Sequence, residues 1–348
     1  MQFFVPVVNH QQEPLMPTTL LRARRWIISG KATPFYKKGM FCVRLNVVPS
    51  NNQKQRIAVG IDPGSKREAF TVKSASYTYC NILTEAVDWV KDAVERRRNA
   101  RKARRFRKTR YREARFDNRH KSKLPPSTKA RWQWKLRIVN WLIKMFPVTD
   151  IAVEDIKAET TGKKRWDVIF SPLEVGKQWF YDQLEAMDSI KLHIYQGYET
   201  KQLRDDLELK KSSSKLADKF ECHNVDSWVL ANNIVGGHQV PDNVSVVKII
   251  PLQFHRRQLH MFQPSRGNIR KTYGGTRSMG LKRGSIVKHN KYGICYVGGT
   301  SHNRISLHCL GTGKRLTQGA KIIDIWFRSY GNWRIRKVGV SSIATEVA

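Results

Sequence analysis

The segment RIAVGIDPGSKREAFTV, residues 56–72, decides how the rest of the chain reads. Ile57 to Ile61 is a short apolar run, the mark of a buried strand, and it stops at Asp62. Pro63-Gly64 supplies a tight turn, and Arg67 to Val72 reads as a returning strand, so the spacing predicts a β-hairpin with a carboxylate ending its first strand. Working outward, VTDIAVEDI (148–156) is strand-like and places Glu154 near its carboxyl end. Farther on, HNVDSWVLA (223–231) puts His223 and Asp226 three positions apart, hence on one helix face. Three carboxylates converging from separate elements repel one another and raise each other's pKa, which a fold tolerates only with a cation between them. Hard oxygen ligands of this kind suit Mg2+ or Mn2+. Asp62, Glu154 and Asp226 are therefore candidate metal ligands, and Asp62, Glu154, His223 and Asp226 are candidate catalytic residues. His223 would act as proton carrier or phosphate contact. Two ions about 3.5–4 Å apart would suit phosphodiester hydrolysis. Each piece alone is ordinary: Asp-Pro-Gly is commonly a turn, Glu154 a strand-end surface charge, and HNVD the polar face of a helix start.

A second stretch sits directly behind the hairpin. Residues 91–123, KDAVERRRNARKARRFRKTRYREARFDNRHKSK, hold sixteen Lys/Arg against four Asp/Glu. At helical spacing Arg97, Arg101, Arg104, Lys108, Arg112, Arg115 and Arg119 form one basic stripe, with Arg98 and Arg105 on other faces. Like charges at i,i+4 each destabilise a helix by roughly 0.2–0.5 kcal/mol, so such a helix needs a polyanion. Continuous from Asp88 to Asp117, it would be about 45 Å long at about 1.5 Å per residue. Phe106, Tyr111 and Phe116 read as aromatic anchors, and apolar sequence on both sides argues against a solvated tail.

The composition agrees. The chain of 348 residues carries 64 Lys/Arg against 28 Asp/Glu, a net +36 spread through every region, which points to nucleic acid more than to a membrane. No apolar run approaches the ~20 residues that cross a bilayer, and no signal peptide is visible. Five scattered cysteines without a C-x-x-C pair fit a reducing cytoplasm and no zinc site. Along the chain, Thr18 or Thr19 caps a short helix carrying Arg22, Arg24, Arg25 and Trp26, and Pro125-Pro126 breaks any helix before one over Ala130 to Phe146. That helix would bury Trp134, Ile138, Trp141, Leu142 and Met145. Leu173 to Met187 reads as a helix and Ile190 to Tyr195 as a strand. Ser214 would cap a helix over Lys215 to Val235 that buries Leu216, Phe220, Trp228 and Ala231 and stops at Gly236-Gly237. Residues 255–283 read as a loop along a polyanion, making Arg256, Arg257, Arg270, Lys271 and Arg277 further nucleic-acid contacts. Short strands at Ser285 to Lys288, Ile294 to Val297, Ile305 to Cys309 and Lys321 to Trp326 suggest a small β barrel.

Strand-Asp, strand-Glu, then helix-His-x-x-Asp is the layout of a ribonuclease H-like nuclease core. GIDPGSK, the arginine-rich helix behind it, IAVEDI and HNVDSWVLA resemble the three split RuvC motifs and bridge helix of the transposon-encoded IscB/IsrB proteins. Pro14-Leu15-Met16-Pro17 matches that family's PLMP motif, and RRQLHMFQPSRGNIRKTYGGTRSMGLKRG resembles its segment before a target-adjacent-motif domain. Glu154 and His223 lie only 69 positions apart, with one histidine and no cysteine pair between them, leaving no room for the HNH nuclease inserted there in IscB. The resemblance is thus to the IsrB form. It implies an α/β (α+β) fold: a split RuvC core with an arginine-rich bridge helix, a small N-terminal PLMP domain and a C-terminal small β-barrel-like domain. The implied divisions are 1–54, 55–87, 88–120, 121–250 and 251–348. The implied activity is RNA-guided nicking of the non-target strand of double-stranded DNA beside a short motif, with Mg2+, one protein per long omega guide RNA, in a prokaryotic cytoplasm. Departures at Arg67-Glu68-Ala69 and Ser227 fall on no proposed ligand. A guide-independent RuvC-like junction resolvase or transposase would share the carboxylates without needing so long a basic helix. An RNA-binding scaffold would explain the charge but not the ordered carboxylates.

Overall fold

A computed structural model describes residues 4–49, 53–106, 124–155, 172–214, 216–252, 277–301, 303–331 and 333–338. The elements run β1 (Phe4–Val8), β2 (Pro14–Thr19), α1 (Leu20–Ile28), β3 (Ala32–Lys37), β4 (Met40–Leu45), β5 (Ile57–Asp62), β6 (Arg67–Ser74), β7 (Thr78–Glu85) and α2 (Val90–Phe106). They continue with α3 (Pro126–Ile143), β8 (Asp150–Asp155), α4 (Pro172–Glu185), β9 (Lys191–Gln196), α5 (Gly197–Asp206), α6 (Phe220–Val235) and β10 (Val246–Pro251). The last are β11 (Arg277–Ser278), β12 (Leu281–Lys282), β13 (Ser285–His289), β14 (Gly293–Ser301), β15 (Arg304–Cys309), β16 (Arg315–Ala320), β17 (Ile325–Tyr330) and β18 (Trp333–Lys337). They divide into two units, one mainly Asn51–Val244 and one comprising Gln2–Gln12, Pro17–Ser50 and Ser245–Ala348. Among the described residues no helix is long and apolar enough to cross a membrane.

The first unit is mixed α/β, built on strands in the order β7-β6-β5-β8-β9. β5, β6 and β7 form an antiparallel meander, whereas β8 runs parallel to β5 and β9 parallel to β8. This order and these directions fit the ribonuclease H-like core expected from the motifs. Side chains alternate between the two faces of a strand, and here both faces are covered. Thr71 faces α6, its Oγ1 lying 2.9 Å from Ser227 Oγ, and Lys73 on the same face donates to the carbonyl of Gly236, which ends α6 with φ +67°. Glu68, on the opposite face, accepts from Lys135 of α3 at 2.7 Å. Sealing both faces buries polar groups as well as apolar ones, and several donors among them are paired: Asn224 donates to the carbonyls of Phe70 and Ile82, Trp228 Nε1 to Thr78 Oγ1, and Trp134 Nε1 to Thr84 Oγ1.

α6 reaches the sheet at Gly60. A methyl group there would fall 1.8 Å from the Ser227 carbonyl oxygen and 2.9 Å from the Ala231 nitrogen, so only a residue without Cβ lets this helix lie so close.

In the second unit, β1 pairs in parallel with β4, and β3 and β4 form a hairpin whose two turn residues, Lys38 and Gly39, both have positive φ, as the tight turns matched to strand twist require. Thr19 caps α1 as expected, accepting from the Arg22 amide. β10 pairs antiparallel with β18. Strands β13 to β17 form a sheet in the order β16-β15-β14-β13-β17, packed around Val287, Cys295, Val297, Ile305 and Leu307. Its two edge strands are consecutive in sequence, joined only by a 3-10 turn over Ile322–Asp324. In a flat sheet these edges would lie about 19 Å apart, four spacings of about 4.8 Å, farther than that link reaches. The sheet is therefore strongly curled.

Several boundaries differ from the sequence reading. Pro125 and Pro126 do not break a helix: they start α3, because Pro at the first helical position gives up an amide that would be unpaired anyway. α3 ends at Ile143, although Trp134, Ile138, Trp141, Leu142 and Met145 are all buried. α6 begins at Phe220, capped by no side chain, so Ser214 is not its cap and Leu216 is 87% exposed. Lys321 to Trp326 is a 3-10 turn and the start of β17, not a strand. α5, β10, β16 and β18 carry no clear periodicity in the sequence and were not expected.

Gly60→Ala is expected to destabilise the protein by about 3 kcal/mol or more, because the clash is with helix backbone that cannot step aside. Gly197→Ala, whose added methyl group meets nothing closer than Glu154 Oε1 at 3.5 Å, serves as the near-neutral control. Paired thermal or urea melts check the difference.

Candidate metal centre and nucleic-acid helix

The pairing of Gly60 with Ala152 and Ile61 with Val153 brings the carboxyl ends of β5 and β8 side by side, so Asp62 and Glu154 project from neighbouring strands. Gly60 and Asp62 share the face toward α6, and the approach at Gly60 carries Asp226, one residue before Ser227, down onto them. Carboxylate oxygens of Asp62, Glu154 and Asp226 all lie within 4.8 Å of one another. The structure thus gathers three of the four residues named from the sequence. Asp155, next to Glu154, points elsewhere and is held by Lys177 at 2.7 Å, Tyr181 at 3.0 Å and Gln196 at 3.1 Å.

The centre contains basic partners that the sequence did not single out. Lys211 Nζ donates to Asp62 Oδ2 at 3.3 Å and to Asp226 Oδ2. Arg204 of α5 donates from Nη1 to the other Asp226 oxygen at 2.7 Å. α5 is fixed where it leaves β9 by Glu199, whose Oε2 accepts from the Gln196 backbone N–H at 2.6 Å. Lys211 lies in the polar stretch LysLysSerSerSer, where nothing distinguishes it from Lys210. Arg204 lies in a helix whose polar sequence, GYETKQLRDD, hid it.

His223 is the exception among the four. It lies outside the carboxylate group, and its Nε2 accepts from Arg67 Nη1 at 3.2 Å, since a guanidinium can only donate. Arg67 also donates to the Ala217 carbonyl at 3.1 Å and pairs with Asp218 at 3.0 Å. Arg67, one of the departures from the family pattern, therefore touches a proposed catalytic residue. Burial and the Arg67 charge lower the His223 pKa below its ordinary value, which keeps the imidazole neutral.

Charge crowding marks the carboxylates. Burial raises the Asp62 pKa against the opposing pull of Lys211, with Asp226 adding to the rise. Burial, then the charges of Asp62 and Asp226, push Glu154 up to about 8. Burial opposes ionisation of Lys211, but Asp62 and Asp226 outweigh it and raise the pKa. Three hard oxygen donors so close together, with Glu154 raised first by burial and then by its acidic neighbours, fit a divalent cation of the hard, oxygen-preferring kind. Such an ion would be held by Asp62, Glu154 and Asp226.

Of the proposed nucleic-acid contacts, Arg97, Arg98, Arg101 and Arg105 lie on α2 with exposed side chains. Arg104 lies on the same helix, and Arg277 opens β11. Lys108, Arg112, Arg115, Arg119, Arg256, Arg257, Arg270 and Lys271, with Tyr111 and Phe116, lie outside the described residues. Phe106 is 89% exposed and so does not anchor α2 in a core.

The family described as RRXRR protein matches residues 5–166 of the chain. No curated protein matches it. Among solved structures, the chain is similar to T. thermophilus RuvC in complex with Holliday junction substrate, at 14% identity over 53% of this chain and 98% of that one, TM-score 0.28. It is also similar to the yeast mitochondrial Holliday junction resolvase Ydc2, at 14% identity over 60% of this chain and 80% of that one, TM-score 0.29.

The raised Glu154 pKa makes the metal-free protein pH-sensitive. An acid that ionises near 4.5 unfolded but near 8 folded binds more protons in the folded state between those values, so its stabilising contribution is complete below the lower one and is lost as pH rises toward the upper. Without metal, wild-type melting temperature should therefore fall more steeply with pH across this window than that of Glu154→Gln. Equal slopes in melts with a chelator present would contradict the assignment.

Proposed function

We propose that this protein is an RNA-guided DNA nickase of the IsrB type, which binds a long guide RNA and cuts the displaced strand of target DNA by metal-dependent phosphodiester hydrolysis. The convergence of Asp62, Glu154 and Asp226 in a chain of charge +36 carries the hydrolytic part of this reading. A bound divalent ion, or a pair of them, supplies the activation of water and the stabilisation of the leaving oxygen. The chain's own residues do the rest. Arg204 orients the Asp226 carboxylate, and Arg67 presents a neutral His223 one helical turn from Asp226, where it can contact a phosphate or carry a proton once its Nε2 is released.

The guided part is supported by the RuvC-like motifs, by the RRXRR match, a domain found in IscB/IsrB-like proteins, and by the arginine helix that follows the β5-β6-β7 meander. Planar guanidinium forks suit backbone phosphates bidentately, leaving sequence to be read by base pairing. With one carboxylate centre among the described residues, a single strand is the expected cut.

The direct test is purification from cells carrying the native flanking locus, sequencing of the bound RNA, and incubation of the complex with a matching supercoiled plasmid and Mg2+. A single RNA species and a nicked circle that vanishes in Asp62→Ala, with RNA binding retained, are expected. Mixed RNA with no guide-dependent nicking points instead to a junction nuclease or a scaffold. Replacing Arg97, Arg101 and Arg105 together by Gln should weaken nucleic-acid binding across all sequences and reduce the salt slope of log K by about 2 to 3, as each lost phosphate contact removes about 0.7–0.9. A salt titration by filter binding reads this change.

A further inference from the structure

We propose that Lys211 is a tethered cation that occupies the carboxylate centre in the metal-free protein and leaves it when a divalent ion binds. This role presupposes the metal-dependent reading above and adds a step to it. The ammonium donates to one oxygen of Asp62 and one of Asp226, with Glu154 in the same cluster, so with Arg204 on the other Asp226 oxygen two positive charges face three carboxylates. An ordinary ion pair matches one carboxylate to one ammonium. Here one ammonium bridges two carboxylates of a cluster of three, so the lysine holds the group together without neutralising it.

The two basic contacts to Asp226 are not equivalent. Arg204 takes Oδ1, at 2.7 Å from a helical position, with its side chain 17% exposed. Lys211 takes Oδ2, the oxygen of Asp226 that its contact to Asp62 bridges, with its side chain 33% exposed. Lys211 comes from the irregular link between α5 and α6. That backbone is fixed on either side of it by Leu209 N to the Arg204 carbonyl at 3.1 Å and Ser212 N to the Glu221 carbonyl at 2.8 Å. The link can therefore stay in place while the flexible four-carbon stem swings its compact ammonium out to water, without the bidentate carboxylate contacts that a guanidinium would have to break. Arg204 would remain to orient Asp226. The ion then binds a preassembled cluster, at the cost of displacing a charge already there.

Mn2+ binding to the full-length chain, followed by the resonance signal of free Mn2+ at neutral pH, tests the exchange, with Asp62→Asn giving the background from other sites. Lys211→Met should bind the Asp62-dependent ion about tenfold tighter, equivalent to about 1.4 kcal/mol. Its metal-free form should melt below wild type, and the difference should close at saturating Mn2+. Lys211→Arg, which keeps the charge but cannot leave as readily, should bind no tighter than wild type. Equal or weaker Mn2+ binding by Lys211→Met overturns the exchange while leaving the metal centre standing. If wild type and both variants lack any Asp62-dependent Mn2+ binding, the metal-dependent reading falls, and the exchange with it.

Discussion

The first unit depends on the close approach of α6 to β5. A helix whose backbone comes so near a strand that no Cβ fits between them is held by the absence of one side chain, Gly60, and by the hydrogen bonds around it. Asn224 ties α6 to the carbonyls of β6 and β7, Ser227 meets Thr71, and Trp228 reaches Thr78. These contacts set both the height and the rotation of α6 over the sheet. With the height fixed, Asp226 has one place to go. Asp62 and Glu154 already stand there, because two parallel strands end side by side.

From that constraint follows an electrostatic one. Packing chosen for shape forces like charges together, and the protein answers with Arg204, Lys211 and a partly protonated Glu154 rather than by separating them. The neighbouring Asp155 shows the contrast. Its position on the other side of β8 gives it Lys177, Tyr181 and Gln196, which, against burial, lower its pKa below the ordinary carboxylate range. Two successive acidic residues thus differ in chemistry because a strand alternates its faces.

The elements legible in the sequence were those with a simple hydrophobic signature. Ile57 to Ile61 and Ile151 to Val153 are uninterrupted apolar runs, so their ends, and the carboxylates on them, could be named directly. His223 and Asp226 could be placed on one face by spacing alone, yet spacing could not say that Arg67 would take the histidine away from the carboxylates. The start of α6 was misread because Ser214 and Lys215 to Ala217 look like a capped helix, whereas in the fold Leu216 stays in solvent. β6 was named as the returning strand of the hairpin, but β7 buries Thr78, Asn81 and Thr84 among its apolar residues and was not named at all. Lys211 was invisible for a different reason. Its role comes from where a loop lands, and a run of lysines and serines has no pattern that fixes a landing point.

The order in which the carboxylates occur along the chain bears on biosynthesis. Asp62 is made early, Glu154 midway and Asp226 last, and the latter reaches the other two only after α6 docks on Gly60. Domains tend to fold as their last segment leaves the ribosome. A chain released early, or cut anywhere between Glu154 and α6, keeps its arginine helix and its first two acids but never assembles the three-carboxylate centre. Incomplete copies of this protein therefore carry two of the three acids without the centre that all three form together.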